Sequence, residues 1–152
     1  MQVWVDADAC PSEAKDVLFN VVRRIGLPLT LVANSPMGYP RSDFIRFQLV
    51  KAGADVADQY IVDELEAGDL VVTADIPLAD NAIRKGALVI DPRGEVLDKN
   101  NIGSRLATRN FLEEFRAAGV QTGGPPPYSA KDKQKFANAV DRFMAKLLRR
   151  DD

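Results

Sequence analysis

The sequence contains no histidine among its 152 residues, and this absence restricts the chemistry that the chain can perform. It excludes Ser-His-Asp and Cys-His catalysis, and it excludes every metal site that depends on imidazole ligands. General acid–base catalysis must therefore come from carboxylates, lysine, tyrosine or metal-activated water.

Cysteine and long apolar runs are also scarce. The single cysteine, Cys10, cannot form an internal disulfide, which makes a cytoplasmic location the expectation. No apolar stretch reaches the length of a membrane span, and no basic segment precedes an apolar one at the N-terminus. We therefore expect no transmembrane helix, no signal peptide and no membrane partner.

The remaining composition is that of an ordinary globular protein, with 46% hydrophobic and 28% charged residues. A length of 152 residues predicts one domain that spans the whole chain, residues 1–152. The sequence is compatible with a homo-oligomer and does not determine the oligomeric state.

The net charge is only −2, but the charges are unevenly placed. Residues 53–80 contain eight acids and no lysine or arginine, whereas residues 99–150 contain eleven lysines and arginines against four acids. The first stretch could hold cations and the second, a basic helical extension from about residue 99, could hold polyanions. Solvated helix faces would produce the same asymmetry, so the charges alone do not decide between these interpretations.

Short apolar segments alternate with segments of helical periodicity along the chain. We predict strands at 2–6, 29–33, 44–50, 69–73 and 87–90, and helices at 11–25, 55–66, 77–85, about 104–118 and after Ser129. This alternation predicts an α/β fold, a three-layer sandwich with a mostly parallel central sheet and extra C-terminal helices.

Acidic residues follow two of the predicted strands. Asp6 ends the first strand, Asp8 lies in the following turn, and Asp75 ends the fourth. The carboxyl ends of parallel strands lie at one edge of the sheet, where these acids can converge. Clustered carboxylates repel each other unless a cation neutralises them, and hard oxygen ligands suit Mg²⁺ or Mn²⁺. The sequence around Asp6 supplies no cation that could pair with a buried carboxylate.

Three further acids are candidate metal ligands. Asp55 and Asp58 are three residues apart and share one helix face, and Asp80 lies in the helix after Asp75. Helix capping is an alternative for Asp55 and Asp75, because each precedes a predicted helix, and Asp80 could be solvated. We favour a functional role for Asp6 and Asp75 together and leave both interpretations open for the others.

Basic and hydroxyl side chains provide candidate nucleic-acid contacts. Arg105 and Arg109 lie one helical turn apart, and Ser104 and Arg105 stand near a predicted helix start, where phosphates bind readily. Arg41, in a loop, is a further candidate. An exposed helix end is the alternative interpretation for Ser104 and Arg105.

Two family resemblances follow from longer motifs. The run Asp69-Leu-Val-Val-Thr-Ala-Asp75, with Arg84-Lys85-Gly86-Ala-Leu-Val-Ile after it, resembles the PIN-like nucleases. The full chain resembles the YaiI/YqxD family of bacterial proteins more closely. The matching segments are Val5-Asp6-Ala7-Asp8-Ala9-Cys10-Pro11, Gly53-Ala-Asp55-Val-Ala-Asp58, Thr73-Ala-Asp75-Ile-Pro-Leu-Ala79, Pro92-Arg93-Gly94-Glu95, Asn101-Ile102 and Gly123-Gly124-Pro125.

The resemblance implies a PIN-like fold and metal-dependent hydrolysis of nucleic acid, with single-stranded RNA favoured. It implies that Asp6 and Asp75 are catalytic metal ligands, with Asp8 beside them. Asp58, or else Asp55, matches the acid that PIN-like nucleases carry on the intervening helix. Asp8 and Asp80 would then be supporting or second-metal ligands. The repeated aspartate at Asp8 and the long C-terminal tail depart from typical PIN domains.

Two alternatives remain open at this stage. The Asp6-x-Asp8 pattern after an apolar strand resembles phosphatases of the haloacid dehalogenase type, with Asp6 as nucleophile, Asp8 as acid/base, and Asp75 and Asp80 as metal ligands. Against it, Cys10 and Pro11 stand where that motif usually continues with threonine or valine. The other alternative is a non-catalytic module that binds nucleic acid or a partner through its basic tail.

Overall fold

The computed structural model describes residues 1–150, so the last two residues of the predicted domain lie outside the described part. The elements in chain order are β1 (Val3–Asp6), α1 (Ser12–Ile25), β2 (Leu29–Ala33), β3 (Ile45–Leu49), α2 (Val56–Glu64), β4 (Leu70–Val72), α3 (Ile76–Arg84), β5 (Leu88–Ile90), β6 (Val96–Leu97), α4 (Ile102–Ala117) and α5 (Ala130–Arg150).

The six strands form one sheet in the order β3-β2-β1-β4-β5-β6. The strands β1 to β5 pair in parallel, and β6 runs antiparallel to β5. The prediction of a mixed α/β fold with a mostly parallel sheet is therefore confirmed. The prediction omitted β6, because a two-residue strand is too short to show an alternating pattern.

Helices cover both faces of the sheet. Alternate strand residues point to opposite faces, so Val3 and Val5 pack with α1 and α5, whereas Trp4 packs with α2 and α3. The central strands β1, β2 and β4 are buried on both faces and are accordingly apolar except at Asp6 and Thr30. The burial of apolar side chains on both faces stabilises the sheet.

The two C-terminal helices differ in how they pack. Helix α5 contributes Phe136 and Met144 to the core beside α1, so this part of the predicted basic extension is built into the core. Helix α4 buries only Ile102 among its own residues and contacts α3. Within residues 1–150, no helix combines the length and apolar character needed to cross a membrane.

Local signals in the sequence explain several element ends. Helix α1 ends at Gly26, which adopts the left-handed conformation that glycine accommodates without strain. Helix α5 begins after Ser129, whose hydroxyl oxygen accepts a hydrogen bond from the Asp132 amide at 3.3 Å. The Asp132 carboxylate accepts one in return from the Ser129 amide, which completes a capping box.

The turn between β5 and β6 is held against α5. Gly94 has a φ of +91°, and a Cβ atom there would lie 2.6 Å from the backbone of Lys135. Arg93, its neighbour, donates to the Asp132 carboxylate at 2.9 Å. The Tyr128 hydroxyl donates to the carbonyl of Pro92 at 2.8 Å. This turn therefore requires glycine for both its conformation and its close approach to the helix.

Candidate functional site

The sheet order reverses between β1 and β4. The chain proceeds from β1 outward through β2 to β3, and then returns to the other side of β1 with β4 and β5. Ligands of open α/β sheets bind beyond the carboxyl ends of the strands at such a reversal. Asp6 is the last residue of β1, and Asp75 follows β4 by three residues. The topology therefore brings these two acids to the usual ligand position of this architecture.

The Asp6 side chain is buried, with only 8% of the residue exposed. Its carboxylate accepts a hydrogen bond from the Thr73 hydroxyl at 3.0 Å. Burial raises the pKa of Asp6, the Thr73 hydrogen bond opposes that rise, and the charges of Asp75 and Asp8 raise it further. The partner that the local sequence lacked is thus the Thr73 hydroxyl group, which follows β4, and none of the ion pairs found among residues 1–150 involves Asp6.

Asp75 caps helix α3 and also belongs to the acidic group. One oxygen of its carboxylate accepts a hydrogen bond from the Leu78 amide at 3.0 Å. Its own amide donates to the Thr73 hydroxyl oxygen at 3.0 Å. The capping alternative is therefore confirmed for Asp75, but capping does not exclude a further role, because the charge of Asp75 raises the pKa values of Asp6 and Asp58.

Asp58 completes a group of three mutually repelling carboxylates. It lies in the first turn of α2 and is partly buried. Burial raises the pKa of Asp58 to about 7, with further contributions from the charges of Asp75 and Asp6, a hydrogen bond with the Asp75 side chain, and the charge of Asp55. Near neutral pH this carboxyl group is therefore about half protonated. The structure brings together Asp6, Asp58 and Asp75.

The other predicted acids lie at the margin of this group or outside it. Asp8 is exposed, and its carboxylate accepts a hydrogen bond from the Asn34 amide at 2.8 Å. Asp55 has a φ of +65° and makes no side-chain capping bond, so the capping alternative is wrong for this residue. Asp80 is paired with Arg84 at 3.3 Å, and it is not among the charges that raise the pKa of Asp6 or Asp58.

Asp69 has a purely structural environment. It is 3% exposed at the start of β4, and its carboxylate accepts hydrogen bonds from the backbone amides of Gln2 and Glu66 and from the indole of Trp4. All the donors are N–H groups at 2.9–3.0 Å. Within the acidic residues 53–80, Asp69 thus has a structural role. Its carboxylate joins the start of β4 to the start of β1, at the edge of the sheet opposite the acidic group.

The acidic group suits a hard divalent cation by its ligand chemistry, since carboxylate oxygens are the preferred ligands of Mg²⁺ and Mn²⁺. Among residues 1–150, no three acids, cysteines or histidines stand close enough to form a ready-made metal cage. Mg²⁺ commonly keeps several water ligands and uses only one or two carboxylates. The neighbouring pair Asp58 and Asp75 meets that smaller requirement, with Asp6 close enough to contribute charge.

An arginine shares a cavity with two of these acids. The cavity has a volume of about 280 Å³, lies between α2, α3 and α4, and is lined by Asp55, Asp58 and Arg109 among others. Arg109 also lines a neighbouring cavity of about 210 Å³ together with Arg105 and Arg116. These three arginines occupy one stripe of α4, since their spacings of four and seven residues return to the same side of a helix. A basic stripe therefore begins next to the acidic group.

The remaining predicted phosphate contacts lie in different places. Ser104 is exposed in the first turn of α4, and its hydroxyl donates to the Asn101 carbonyl at 3.0 Å. Arg105 is paired with Glu95. Arg41 is exposed and precedes β3, at the edge where the parallel strands begin. The structure therefore does not bring Arg41 to the edge that carries the acidic group.

Sequence reasoning missed two residues of this region. Thr73 orders the site, because its hydroxyl group bonds to the carboxylate of Asp6 and to the amide of Asp75. A threonine two residues before a helix-capping aspartate was the available signal. Arg116 continues the stripe of Arg105 and Arg109, and its spacing within the predicted helix could have identified it.

Comparisons with known proteins identify the kinship of the chain. The family model described as "Uncharacterized BCR, YaiI/YqxD family" matches residues 4–146 of the chain. The chain is 56% identical over 149 residues to the UPF0178 protein of Saccharophagus degradans, covering 98% of this chain and 99% of that one. It is 53% identical over 146 residues to a UPF0178 protein of Photobacterium profundum, covering 96% and 97%. No solved structure matches.

Proposed function

The chain belongs to the YaiI/YqxD family, and from that premise we propose that it hydrolyses phosphodiester bonds with the help of a divalent cation. The observation that carries the proposal is the group of Asp6, Asp58 and Asp75 at the reversal of the sheet, with pKa values of Asp6 and Asp58 raised by burial and by the neighbouring acids. Such a perturbed group beside a cavity is a characteristic of functional sites.

Asp58 and Asp75 would hold Mg²⁺ or Mn²⁺, with Asp6 contributing charge and Asp8 and Asp55 near the rim. When bound, such a cation neutralises charge on a phosphoryl group and lowers the pKa of water. The chain prepares the carboxylates for this role. Thr73 holds Asp6 in place, and the start of α3 holds Asp75 through the Leu78 amide. Asp58 releases its proton when the positive charge arrives, because the charged form is then favoured.

Arg109 would position the scissile phosphate. Arg109 lines the same cavity as Asp58. Its guanidinium group is paired with Glu113 at 2.9 Å and could exchange this carboxylate for a phosphate, to which it can donate two parallel hydrogen bonds. Arg105 and Arg116 extend the basic stripe along α4 on either side of Arg109. A flexible polyanion fits a stripe of this kind, so we propose single-stranded nucleic acid, RNA rather than DNA, as the substrate. The single cysteine is consistent with action in the cytoplasm.

We also propose the finer assignment to the PIN-like nucleases. It is supported by the proximity of three acids: Asp6 at the end of β1, Asp58 in the first turn of α2 and Asp75 after β4. These are the three positions that the resemblance assigns to the metal ligands. Asp58 rather than Asp55 is the helix ligand in this proposal, because the Asp58 carboxyl group interacts directly with that of Asp75.

A cleavage assay tests the proposed activity. End-labelled single-stranded RNA and DNA of identical sequence are incubated with the protein and Mn²⁺, Mg²⁺ or EDTA. We expect cation-dependent cleavage that Asp75→Asn and Asp58→Asn abolish. An asparagine side chain can still cap α3 in the Asp75→Asn variant, so the loss would not reflect unfolding. Asp63→Asn, an exposed residue of α2, is the control and should cleave normally.

Binding measured in EDTA separates substrate recognition from the cation site. Affinity for single-stranded RNA should fall steeply with salt, and the Arg105→Ala, Arg109→Ala double variant should bind more weakly with a shallower salt dependence. An unchanged affinity and slope would contradict the role of these arginines. Absence of cleavage together with an aluminium fluoride adduct on Asp6 would replace the proposal with a phosphatase that uses Asp6 as nucleophile.

A further inference from the structure

Helix α4 exposes two aromatic side chains on the part of its surface that faces away from the arginine stripe. Phe111 is 58% exposed and Phe115 is 38% exposed, and their rings meet edge to face with centroids 4.6 Å apart. We call these two residues the phenyl pair. Two adjacent aromatic rings on a helix that is itself mostly solvent-exposed form a small apolar surface that is available for contact with another molecule.

A matching concave surface lies on another part of the molecule. An open groove of about 300 Å³ runs between α5 and the strands β5 and β6, and we call it the edge groove. Leu88 and Val96 form its floor and remain 43% and 47% exposed. Phe143 and Leu147 of α5 form its wall. Its volume is at the lower limit for pockets that enclose apolar groups.

The charges around the two surfaces are opposite in sign. Glu114 is exposed and stands three residues after Phe111, hence beside the phenyl pair on the helix surface. The rim of the edge groove carries Arg142 and Lys146, both exposed. An apolar centre with complementary charges at its border is the usual composition of a specific protein interface.

We propose that the phenyl pair of one copy of this chain docks into the edge groove of a second copy, with Glu114 facing Arg142 and Lys146. Each copy carries both surfaces, so a two-fold dimer forms the contact twice and closes the assembly. Two contacts of this kind bury on the order of 1,000 Å², the lower bound for a specific interface. An interface of this size lies at the small, transient end of specific protein contacts.

The inference is independent of the proposed phosphodiesterase activity, because none of these residues belongs to the acidic group or the arginine stripe. Its test is sedimentation velocity of the full chain over a range of concentrations. We expect a monomer–dimer equilibrium that the Phe111→Ala, Phe115→Ala double variant shifts at least about tenfold toward monomer. Circular dichroism checks that each variant is folded. A wild-type protein that remains monomeric throughout would overturn the proposal and assign the phenyl pair to a different partner.

Charge reversal identifies the two surfaces that meet. Glu114→Lys alone and Arg142→Glu with Lys146→Glu should each weaken self-association by about tenfold, because like charges then face each other. Mixing these two variants should restore a heterodimer, because opposite charges then face each other at both contacts: one contact has the reversed charges and the other has the native ones. A mixture that stays monomeric would overturn the pairing of these surfaces.

A control variant addresses the other exposed edge of the sheet. Leu49 is exposed on β3, the edge strand at the opposite end of the sheet from β6. Leu49→Lys should leave the dimer unchanged. If this variant alone abolished self-association, the contact would lie at β3 and the proposal would be wrong.

Discussion

Replacing Asp58 with asparagine should stabilise the protein at alkaline pH. The pKa of Asp58 rises from an ordinary 3.8 to about 7 in the folded protein, so the folded state retains a proton that the unfolded chain has released. Stability is therefore lost as the pH rises from about 4 to about 7. The asparagine side chain would carry no charge and would escape this loss.

The size of the effect follows from the same values. A pKa change from 3.8 to about 7 corresponds to an upper bound of about 4 kcal/mol. Asp58 is only partly buried, so solvent screening reduces the expected contribution to about 1–2 kcal/mol. Between pH 5 and pH 8, where somewhat more than half of the change falls, Asp58→Asn should gain about 1 kcal/mol relative to the wild-type protein.

Urea denaturation at pH 5 and pH 8 without divalent cations measures this gain. Asp63→Asn, on the exposed side of the same helix, should show the pH dependence of the wild-type protein. Saturating Mn²⁺ should remove the advantage of Asp58→Asn at pH 8, because a bound cation stabilises the charged wild-type carboxylate instead. If Asp58→Asn and the wild-type protein lost stability equally between the two pH values, the mutual repulsion of the acids would be refuted.

Three further outcomes are expected. Asp6→Asn should weaken Mn²⁺ binding at least about tenfold in calorimetric titration at pH 8, and equal affinity would remove Asp6 from the cation site. Asp69→Ala should lower the free energy of unfolding by about 2–3 kcal/mol, because one buried and two partly buried N–H groups lose their acceptor. Gly94→Ala should be more destabilising than Gly68→Ala in the same thermal unfolding experiment: both glycines have a φ of +91°, but only at Gly94 would the new Cβ meet backbone, that of Lys135. Equal losses of stability in the two variants would show that the positive φ, and not the contact with Lys135, determines the cost of the substitution.

The elements that were predictable from sequence have strong local signals. Strand β2 has the predicted bounds because a mostly apolar run, with Thr30 as its one polar residue, lies between Pro28 and a polar loop. Helix α1 ends where Gly26 follows the last apolar residue of the helical pattern. The approach of Asp6 and Asp75 was also accessible, since it requires only that two parallel strands end at one edge of the sheet.

What the sequence did not reveal depends on contacts between distant segments. The bond between Thr73 and Asp6 joins residues 67 positions apart. The tight packing of Gly94 on α5 depends on where that helix crosses the turn. The pKa of Asp58 depends on the distance between two helix starts, α2 and α3, which no local pattern encodes. Such quantities follow from tertiary packing and not from propensity.

The central position of β1 has a consequence for the order of folding. The first strand of the chain pairs with β2, which is available early during synthesis, and with β4, which emerges only after α2. A nascent chain can therefore assemble β1, α1 and β2 while one side of β1 remains an open edge with unpaired amides. Closing that edge requires a long loop to be ordered, which is a slow step. Because the pairing of β4 with β1 also delivers Thr73 and Asp75 to Asp6, the candidate site can form only once that open edge has closed.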